Sequence, residues 1–488
     1  MRRSGSALAL SLVVSVLVGC GGAGGDRTDG ASSSLEWRRC GDLECATLAV
    51  PLDRDRPTGP TIDLALARDR ADGERRGVLL VNPGGPGASG VDFLRDSRGV
   101  FGERVREAFD LVAWDPRGTG RSGPVECGRD LDDFYSVDRS PVGLDEVSAN
   151  VAAARDFVAR CEEDSRDLLA HVATAETVRD LEAIRVALGE ELLDFFGFSY
   201  GTVIGAEYLR SFPRRVRTMV LDGAVDPARP YATALREQAE ALDAALGRFF
   251  AWCAAAPRCR LGRPSGRTPA EAYDALVARV ESEPVRARVD GEDRRLGPGE
   301  LDIAVAGALY AGADGYRVLG RALADAAGGS PAAALALFDA YTGRESGGRY
   351  SDSTAGLYAV GCLDAPAPRT VEGVASVAEE TARTAPRFGP ATVWLALPCT
   401  FWPVPAVPTT TRKVPNGPRA LVVGTTGDPV TPYVWARALT SRLGDARLLT
   451  VEGTAHTAYP FGGSCVRDAI DDYIVDLRLP RPAARCPA

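Results

Sequence analysis

Short apolar runs of the length of a buried strand recur along the chain, and each is followed by a turn rich in glycine or polar residues. Amphipathic segments of helical period lie between several of them. This alternation predicts an α/β fold whose mostly parallel sheet is flanked by helices. Ligands of such sheets bind at the carboxyl ends of the strands, so these turns mark the expected site. The runs with their turns lie at residues 77–90, 109–123, 192–201, 216–227, 419–432 and 446–459.

Residues 174–188 carry the clearest helical period, with four apolar residues on one face. Thr174 is expected to cap the start of this helix and Gly189 to follow its end.

The pattern changes after residue 227, where helical periods replace the strand signals until about residue 413. The run Thr268-Pro269-Ala270-Glu271 is a capping box with proline at the first helical position. Strand patterns then return. We therefore expect a sheet domain in two parts, 35–227 and 414–488, with a helical cap inserted at 228–413.

The N-terminus is predicted to be a signal peptide over residues 1–19. Two arginines precede an apolar segment that is too short to span a bilayer as a stable helix. The segment ends at Leu-Val-Gly-Cys20, which resembles a bacterial lipobox, so Cys20 would carry lipid and residues 20–34 would form a flexible tether. An ordinary cleaved signal is the alternative. We expect an exported protein, anchored by lipid at the outer face of the membrane or secreted.

Cysteine usage agrees with export. Of the 11 cysteines, ten remain once Cys20 is set aside, an even number that predicts disulfides in an oxidising compartment. With two histidines and no C-x-x-C pair, no metal site is expected. Local spacing favours the pairs Cys40–Cys45, Cys127–Cys161, Cys253–Cys259, Cys362–Cys399 and Cys465–Cys486. The formal net charge of −9, with no dominant basic patch, argues against a nucleic-acid partner.

One serine lies between two glycines, in Gly197-Phe-Ser199-Tyr-Gly201. The G-x-S-x-G pattern alone is weak evidence of function. Here an apolar, aromatic run precedes it and a helical pattern follows, which is the context of a nucleophile elbow. Ser199 is therefore the candidate nucleophile.

A serine nucleophile needs a base and a carboxylate that orients the base. On a sheet with a nucleophile elbow, the acid and then the histidine follow the serine along the chain. This order excludes His171 and selects His456, in a turn after a late strand. Asp428 follows the preceding strand and is the preferred acid. Asp222, which ends an earlier strand, is the alternative.

The tetrahedral intermediate needs two preorganised hydrogen-bond donors for its oxyanion. The backbone N–H of Tyr200, the residue after the nucleophile, is expected to supply one. The loop Asn-Pro-Gly-Gly-Pro-Gly after the strand at 77–82 is expected to supply the other. Gly85 is the preferred donor and Gly84 the alternative.

Several segments together resemble one family: "NPGGPGASG", "WDPRGTGRSG", "GFSYGT", "GDPVTP" and "GTAHTAY". They are similar to the secreted tripeptidyl aminopeptidases of actinobacterial type, which are relatives of proline iminopeptidases. The resemblance covers nearly all of the mature chain and includes a C-terminal region of that type over 414–488. It implies an α/β-hydrolase fold with a helical cap, and removal of short peptides from free N-termini without a cofactor.

On that resemblance, Ser199, Asp428 and His456 match the catalytic triad, and Gly85 and Tyr200 match the oxyanion hole. One position departs from the pattern, because proline iminopeptidases carry histidine where this chain has Pro83.

An exopeptidase also needs a carboxylate that holds the substrate's α-ammonium group. Asp364 in the cap is a candidate, and a solvated loop aspartate is an equally good interpretation of it. Peptide substrates are the expected partners, and the protein is expected to be a monomer. A carboxylesterase or lipase of the same fold is the competing enzyme class, since fold and triad do not choose the acyl group. A surface-binding lipoprotein without catalysis is the third alternative.

Overall fold

Most of the strands belong to a single sheet. The structure is a computed structural model that describes residues 35–409, 413–414 and 419–487. Within these ranges, ten strands form one sheet in the order β1-β2-β3-β5-β4-β6-β7-β10-β11-β12, and two more form a hairpin. The strands are β1 (Arg38–Cys40), β2 (Leu43–Pro51), β3 (Thr61–Asp69), β4 (Gly77–Asn82), β5 (Phe109–Trp114), β6 (Leu193–Phe198), β7 (Val216–Asp222), β8 (Val285–Val289), β9 (Glu292–Leu296), β10 (Ala420–Thr425), β11 (Ala446–Glu452) and β12 (Arg485–Pro487).

The sheet is mostly parallel. The pairs β1–β2, β2–β3 and β3–β5 are antiparallel, whereas every pairing from β5 through β4, β6, β7, β10 and β11 to β12 is parallel. The carboxyl ends of the parallel strands therefore meet at one edge of the sheet, where their following loops gather.

Helices flank the sheet and fill the interval between β7 and β10. In the described ranges they are α1 (Gly90–Asp96), α2 (Glu103–Ala108), α3 (Asp132–Ser136), α4 (Leu144–Leu169), α5 (Thr174–Ala187), α6 (Gly201–Ser211), α7 (Tyr231–Ala255), α8 (Pro269–Ser282), α9 (Pro298–Leu309), α10 (Tyr316–Ala327), α11 (Ala332–Thr342), α12 (Ser353–Asp364), α13 (Val371–Ala382), α14 (Gly389–Leu395), α15 (Pro398–Phe401), α16 (Tyr433–Arg442) and α17 (Ser464–Asp476). Short 3₁₀ turns lie at Arg98–Val100, Pro213–Arg215, Arg263–Ser265 and Gly312–Gly315. No helix in these ranges combines the length and apolar character that crossing a membrane would require.

Both faces of the sheet are covered, which explains why the strands are continuous apolar runs. Successive residues of a strand point to opposite faces. In β4, Val78 and Leu80 pack into the core on the face of α5, α6 and α16, and Leu79 and Val81 into the core on the face of α1, α2 and α17. The α/β fold with a mostly parallel, helix-flanked sheet is confirmed.

The segment between β7 and β10 contains helices α7–α15 and the antiparallel hairpin β8–β9. Much of it packs around its own apolar core, which includes Leu246, Phe249 and Leu323. A second cluster joins α3 and α4 to this segment, where Phe134 and Phe157 pack with Tyr358. We call residues 228–413 the cap, as the sequence analysis defines it. The capping box at Thr268 and Glu271 begins α8, as its sequence indicates.

The start of α5 differs from the sequence prediction. Thr174 is the first helical residue rather than the N-cap, and the preceding Ala173 has no side-chain acceptor. The Thr174 N–H donates instead to Asp364 Oδ1 in the cap, at 3.0 Å. The acceptor that α5 needs therefore comes from a residue 190 positions later in the chain.

Ten cysteines form five disulfides, and the partners are the neighbours that local spacing favours. The pairs are Cys40–Cys45, Cys127–Cys161, Cys253–Cys259, Cys362–Cys399 and Cys465–Cys486. Cys20 and the predicted signal peptide lie outside the described residues.

Candidate active site

Ser199 lies on the tight turn that joins β6 to α6. Its φ of 51° is in the left-handed region, which serine rarely adopts and which costs about 1–3 kcal/mol. The turn is fixed on both sides: the Ser199 N–H donates to Asp222 O at 2.8 Å, and its carbonyl accepts from Thr202 N at 2.9 Å. A strained serine between a buried strand and a helix has the geometry of a nucleophile elbow.

The loop after β4 runs beside this turn. Gly84 has a φ of +94°, and a Cβ on it would lie 2.7 Å from Tyr200 N. No side chain fits there, so the glycine allows the loop's backbone to approach the elbow closely. The Gly84 N–H is already engaged, since it donates to Asn82 Oδ1 at 3.0 Å. This favours Gly85 over Gly84 as the candidate oxyanion donor.

His456 lies in the loop after β11, at the same edge of the sheet. Its Nδ1 is 3.1 Å from both carboxylate oxygens of Asp428, which follows β10, and both side chains are buried. An ionised carboxylate only accepts hydrogen bonds, so Nδ1 carries the proton and Nε2 is the basic nitrogen. Within the described part of the chain, Nε2 has no hydrogen-bond partner.

Asp428 is held by its own loop. Its Oδ1 accepts from the backbone N–H groups of Val430 and Thr431 at 2.8 and 2.9 Å, and its Oδ2 accepts from the Thr431 hydroxyl at 2.9 Å. These bonds fix the carboxylate in place to orient the imidazole.

Asp222 reaches the histidine loop but not the imidazole. Its carboxylate accepts from the N–H groups of Ala458 at 2.9 and 3.0 Å and of Tyr459 at 2.8 Å. Burial raises the pKa of Asp222 to about 6, against the opposing effect of these backbone bonds. Of the two candidate acids, the structure therefore brings Asp428 to the His456 ring and places Asp222 on the backbone behind it.

His171 lies elsewhere. It precedes α5, and its backbone carbonyl accepts from Arg117 at 3.0 Å. Its described contacts do not include Ser199 or Asp428.

Tyr200 is fixed through its hydroxyl as well as through the turn. The hydroxyl donates to Asp364 Oδ2 and lies 3.1 Å from Thr174 Oγ1. Asp364 is the last residue of α12 and is 8% exposed, and burial raises its pKa to about 7, opposed by hydrogen bonds from Thr174. Both Asp364 oxygens are thus engaged by protein donors. This arrangement favours a role within the protein over capture of a substrate ammonium group.

Cap residues contact the loops that carry the candidate triad. The Tyr310 carbonyl accepts from His456 N at 2.7 Å, and the two rings meet edge to face with centroids 5.2 Å apart. Arg248 donates to Gly427 O at 2.7 Å and Gln238 donates to Val430 O at 3.0 Å, on either side of Asp428. Sequence patterns predict no role for these three residues. No local motif marks them, because their partners lie far away in the chain.

The fold and this site together define a class of enzyme. A serine on an elbow, a carboxylate-bound imidazole at the same sheet edge and a glycine loop beside the elbow characterise the serine hydrolases of the α/β-hydrolase fold.

Comparison with known proteins agrees. Residues 77–268 match the family model described as alpha/beta hydrolase fold, and residues 385–486 match the model described as TAP-like protein. The chain is 36% identical to the serine protease Hip1 of Mycobacterium tuberculosis, over 98% of this chain and 96% of that protein. It is 34% identical to carboxylesterase B of the same species, over 95% and 92%. It is 32% identical to the tripeptidyl aminopeptidase of Streptomyces coelicolor, over 91% and 84%. The chain therefore belongs to the tripeptidyl aminopeptidase-like family of α/β-hydrolases and is a serine hydrolase.

Proposed function

We propose that the protein is an exported serine aminopeptidase that releases dipeptides or tripeptides from free N-termini through an acyl-enzyme. The observation that carries this proposal is the pairing of His456 with Asp428 at the sheet edge where Ser199 occupies a strained elbow. Relatives named tripeptidyl aminopeptidase and serine protease support peptides as the substrate class.

In the proposed reaction, the Ser199 oxygen attacks the carbonyl carbon of the scissile peptide bond while His456 Nε2 accepts the hydroxyl proton. Asp428 stabilises the imidazolium that forms, through Nδ1–H. The imidazolium then donates its proton to the leaving amine as the C–N bond breaks. A water molecule hydrolyses the ester by the same route and restores Ser199.

The negative charge on the tetrahedral intermediate requires donors that are in place before the reaction. The N–H of Tyr200 precedes the first turn of α6, where the helix leaves its N–H groups unpaired and its dipole favours an anion. The N–H of Gly85 is proposed as the second donor, since its neighbour Gly84 has already committed its own N–H to Asn82.

Exopeptidase action is supported by the contacts between the cap and the candidate catalytic loops. Tyr310 is bonded to the histidine loop, and Arg248 and Gln238 to the acid loop. We propose that these contacts hold the cap close to the catalytic loops and so favour a chain end over a long polypeptide as the substrate.

Export is supported by the five disulfides, which persist in oxidising compartments. We further propose that Cys20 carries a lipid that anchors the protein at the outer face of the membrane. The protein is proposed to act as a monomer.

A matched pair of peptides tests the substrate class. The wild-type protein should release a short N-terminal peptide from a substrate with a free α-amine, and acetylation of that amine should abolish cleavage. Ser199→Ala should lower the turnover of the free peptide by at least about 10⁴-fold, as expected when the nucleophile is lost. Ser211→Ala, at an exposed serine that ends α6, the helix after the elbow, serves as the control with unchanged turnover. Products would be identified by mass spectrometry, and equal rates on free and acetylated peptides would exclude the aminopeptidase.

A carboxylesterase is the second candidate, because one close relative bears that name. Short acyl esters and aminoacyl arylamides should be compared at equal concentration. A higher kcat/KM on simple esters would favour the esterase. Failure of a fluorophosphonate to label Ser199 would instead favour a protein without catalysis.

A further inference from the structure

A single cap helix, α12, contacts both segments that supply the proposed oxyanion donors, Tyr200 and the loop that contains Gly85. Its last residue, Asp364, binds the hydroxyl of Tyr200, whose N–H is one donor. Its first turn packs against Gly87, in the loop that contains the other donor, Gly85. Twelve residues of helix span about 18 Å at the usual rise, enough to connect the two halves.

We propose that Asp364 and the Tyr200 hydroxyl form a positioning clamp, by which α12 holds the Tyr200 N–H in place for the oxyanion. We name the hydrogen-bonded set Tyr200, Asp364 and Thr174 the Tyr200 clamp. The inference rests on the proposed function, since this N–H matters only if Ser199 is acylated.

The contacts of the clamp join three helices. Tyr200 precedes α6, Thr174 begins α5 and Asp364 ends α12. Asp364 Oδ1 accepts from Thr174 N at 3.0 Å, and Oδ2 accepts from the Tyr200 hydroxyl. With both oxygens committed, the carboxylate cannot turn without breaking a bond, and the ring of Tyr200 is fixed at its far end.

Anchoring the far end of the Tyr200 ring restricts the Tyr200 backbone, because the ring and the N–H belong to the same residue. Tyr200 has helical backbone angles, φ −58° and ψ −24°, directly after the strained Ser199. An oxyanion donor must lie within about 0.5 Å of its productive position to be effective. An anchored ring restricts the rotation that would carry the N–H away.

At its other end, α12 approaches the glycine loop too closely for side chains. A Cβ on Gly87 would lie 2.6 Å from Leu357 N, and a Cβ on Gly356 would lie 2.8 Å from Gly87 Cα. The residue before the helix, Asp352, accepts from Gly120 N at 2.7 Å, in the neighbouring loop after β5. The helix is therefore fixed to the core at both ends.

The burial of Asp364 is a further feature of the clamp. Asp364 is buried, and the two hydrogen bonds described for its carboxylate come from uncharged donors, the Thr174 N–H and the Tyr200 hydroxyl. Burying a carboxylate is costly, and here burial raises the pKa of Asp364 to about 7. Asp364 occupies this position despite that cost, and its two oxygens accept from Thr174 and Tyr200 at the same time.

Two substitutions and their combination test the clamp. Tyr200→Phe removes only the hydroxyl, and Asp364→Asn removes the charge and replaces one of the two acceptor oxygens with an N–H₂ donor. Loss of a whole oxyanion donor costs about 100- to 1,000-fold in rate, so displacement of one should lower kcat about 5- to 30-fold. KM should change less than about twofold, because the oxyanion exists only in the transition state. The double variant should be no slower than the slower single variant, since both remove one clamp.

Tyr208→Phe is the matched control. Tyr208 lies on α6 and donates to a carboxylate on α5, Glu182 Oε2, at 2.6 Å. This is the same type of hydrogen bond as that between Tyr200 and Asp364, but it lies away from the site. We expect it to lower the thermal midpoint without changing kcat. Unchanged kcat in Tyr200→Phe, a change in KM alone, or single effects that multiply in the double variant would overturn the clamp.

The labelling rate of Ser199 by a fluorophosphonate separates this inference from the proposed function. The phosphonyl oxygen occupies the oxyanion hole, so the second-order labelling rate should fall in Tyr200→Phe and Asp364→Asn whatever the natural substrate is. If peptides are not cleaved but labelling slows as described, the aminopeptidase proposal fails and the clamp stands. If peptides are cleaved and labelling is unchanged in both variants, the clamp fails alone.

Discussion

Two buried aspartates at one edge of the sheet serve the same histidine in different ways. Asp428 accepts from the imidazole nitrogen, whereas Asp222 accepts from the backbone of the two residues that follow Thr457. One carboxylate orients the ring and the other holds the loop that carries the ring. Asp222 also ties this loop to the elbow, because its carbonyl accepts from Ser199 N.

The pKa of Asp222 predicts a pH-dependent stability. Burial raises it from 3.8 to about 6, so the folded protein binds a proton that the unfolded chain releases near pH 4. The stabilisation of the folded state by this proton is complete below pH 4 and is lost as the pH rises through 6. It amounts to roughly 3 kcal/mol, since one pKa unit corresponds to about 1.4 kcal/mol. Asp222→Asn cannot ionise. As the pH is raised from 4.5 to 7.5, the thermal midpoint of Asp222→Asn should therefore rise relative to that of the wild type.

Scanning fluorimetry of the two proteins over this pH range measures the difference. Parallel midpoint curves would mean that Asp222 titrates in the folded state as it does in the unfolded chain.

The sequence predicts the residues that define the site because few candidates compete. Two histidines leave one choice once chain order is imposed, and a serine between two glycines stands out after a buried strand. The sequence does not show as clearly whether Asp428 or Asp222 is the acid, since both follow strands that end at the same edge. Only the packing of β10 beside β7 determines which carboxylate meets the ring and which meets the loop.

At the scale of elements, α12 contacts both the glycine loop and Tyr200. Its glycines provide a matched pair of substitutions. A Cβ on Gly356 would lie 2.8 Å from Gly87 Cα, whereas a Cβ on Gly361 would have no neighbour within 4 Å.

Gly356→Ala should destabilise the protein by about 1–3 kcal/mol, because neither backbone can give way without strain. It should also lower kcat, since the displaced loop carries Gly85. Gly361→Ala should be neutral or should stabilise by up to about 1 kcal/mol, as alanine is the better helix former. Thermal midpoints and kcat of both variants would be compared. Equal effects of the two substitutions would show that α12 does not need its close approach to Gly87.

The helix α5 illustrates where sequence patterns stop being sufficient. Its length follows from four apolar residues on one face, and the structure gives Thr174–Ala187. Its cap does not follow, because the acceptor for Thr174 N is Asp364. A local pattern assigns such a role to the nearest hydroxyl. The true partner depends on how the cap docks, which no short-range signal records.

For the whole molecule, the sequence shows that a helical segment interrupts the sheet, because strand periods give way to helical ones and later return. It does not show how this segment is attached. In the structure, the cap is bonded to the histidine loop, the acid loop, the residue after the nucleophile and the loop after β5. The cap thus contributes hydrogen bonds to the loops of the candidate active site.

The location of the whole protein gives another prediction. If Cys20 is lipidated, the wild-type protein should appear in the membrane fraction of intact cells and be accessible to external protease. Cys20→Ser should block lipidation, and it should leave the kcat of the purified enzyme unchanged because the candidate catalytic residues lie far along the chain. Fractionation of both proteins checks this, and an identical distribution would contradict the lipid anchor.

The interruption of the sheet also has a consequence for the order of events during synthesis. β7 pairs with β10, and the cap separates them in sequence. As the chain grows, β7 can join β6, but its other side stays open until residues 420–425 have been made. Its buried residues Met219, Val220 and Leu221 would meanwhile form an apolar edge able to pair with another chain. Nascent chains of this protein should therefore be most prone to association while the cap emerges, and completion of the sheet by β10 should end that period.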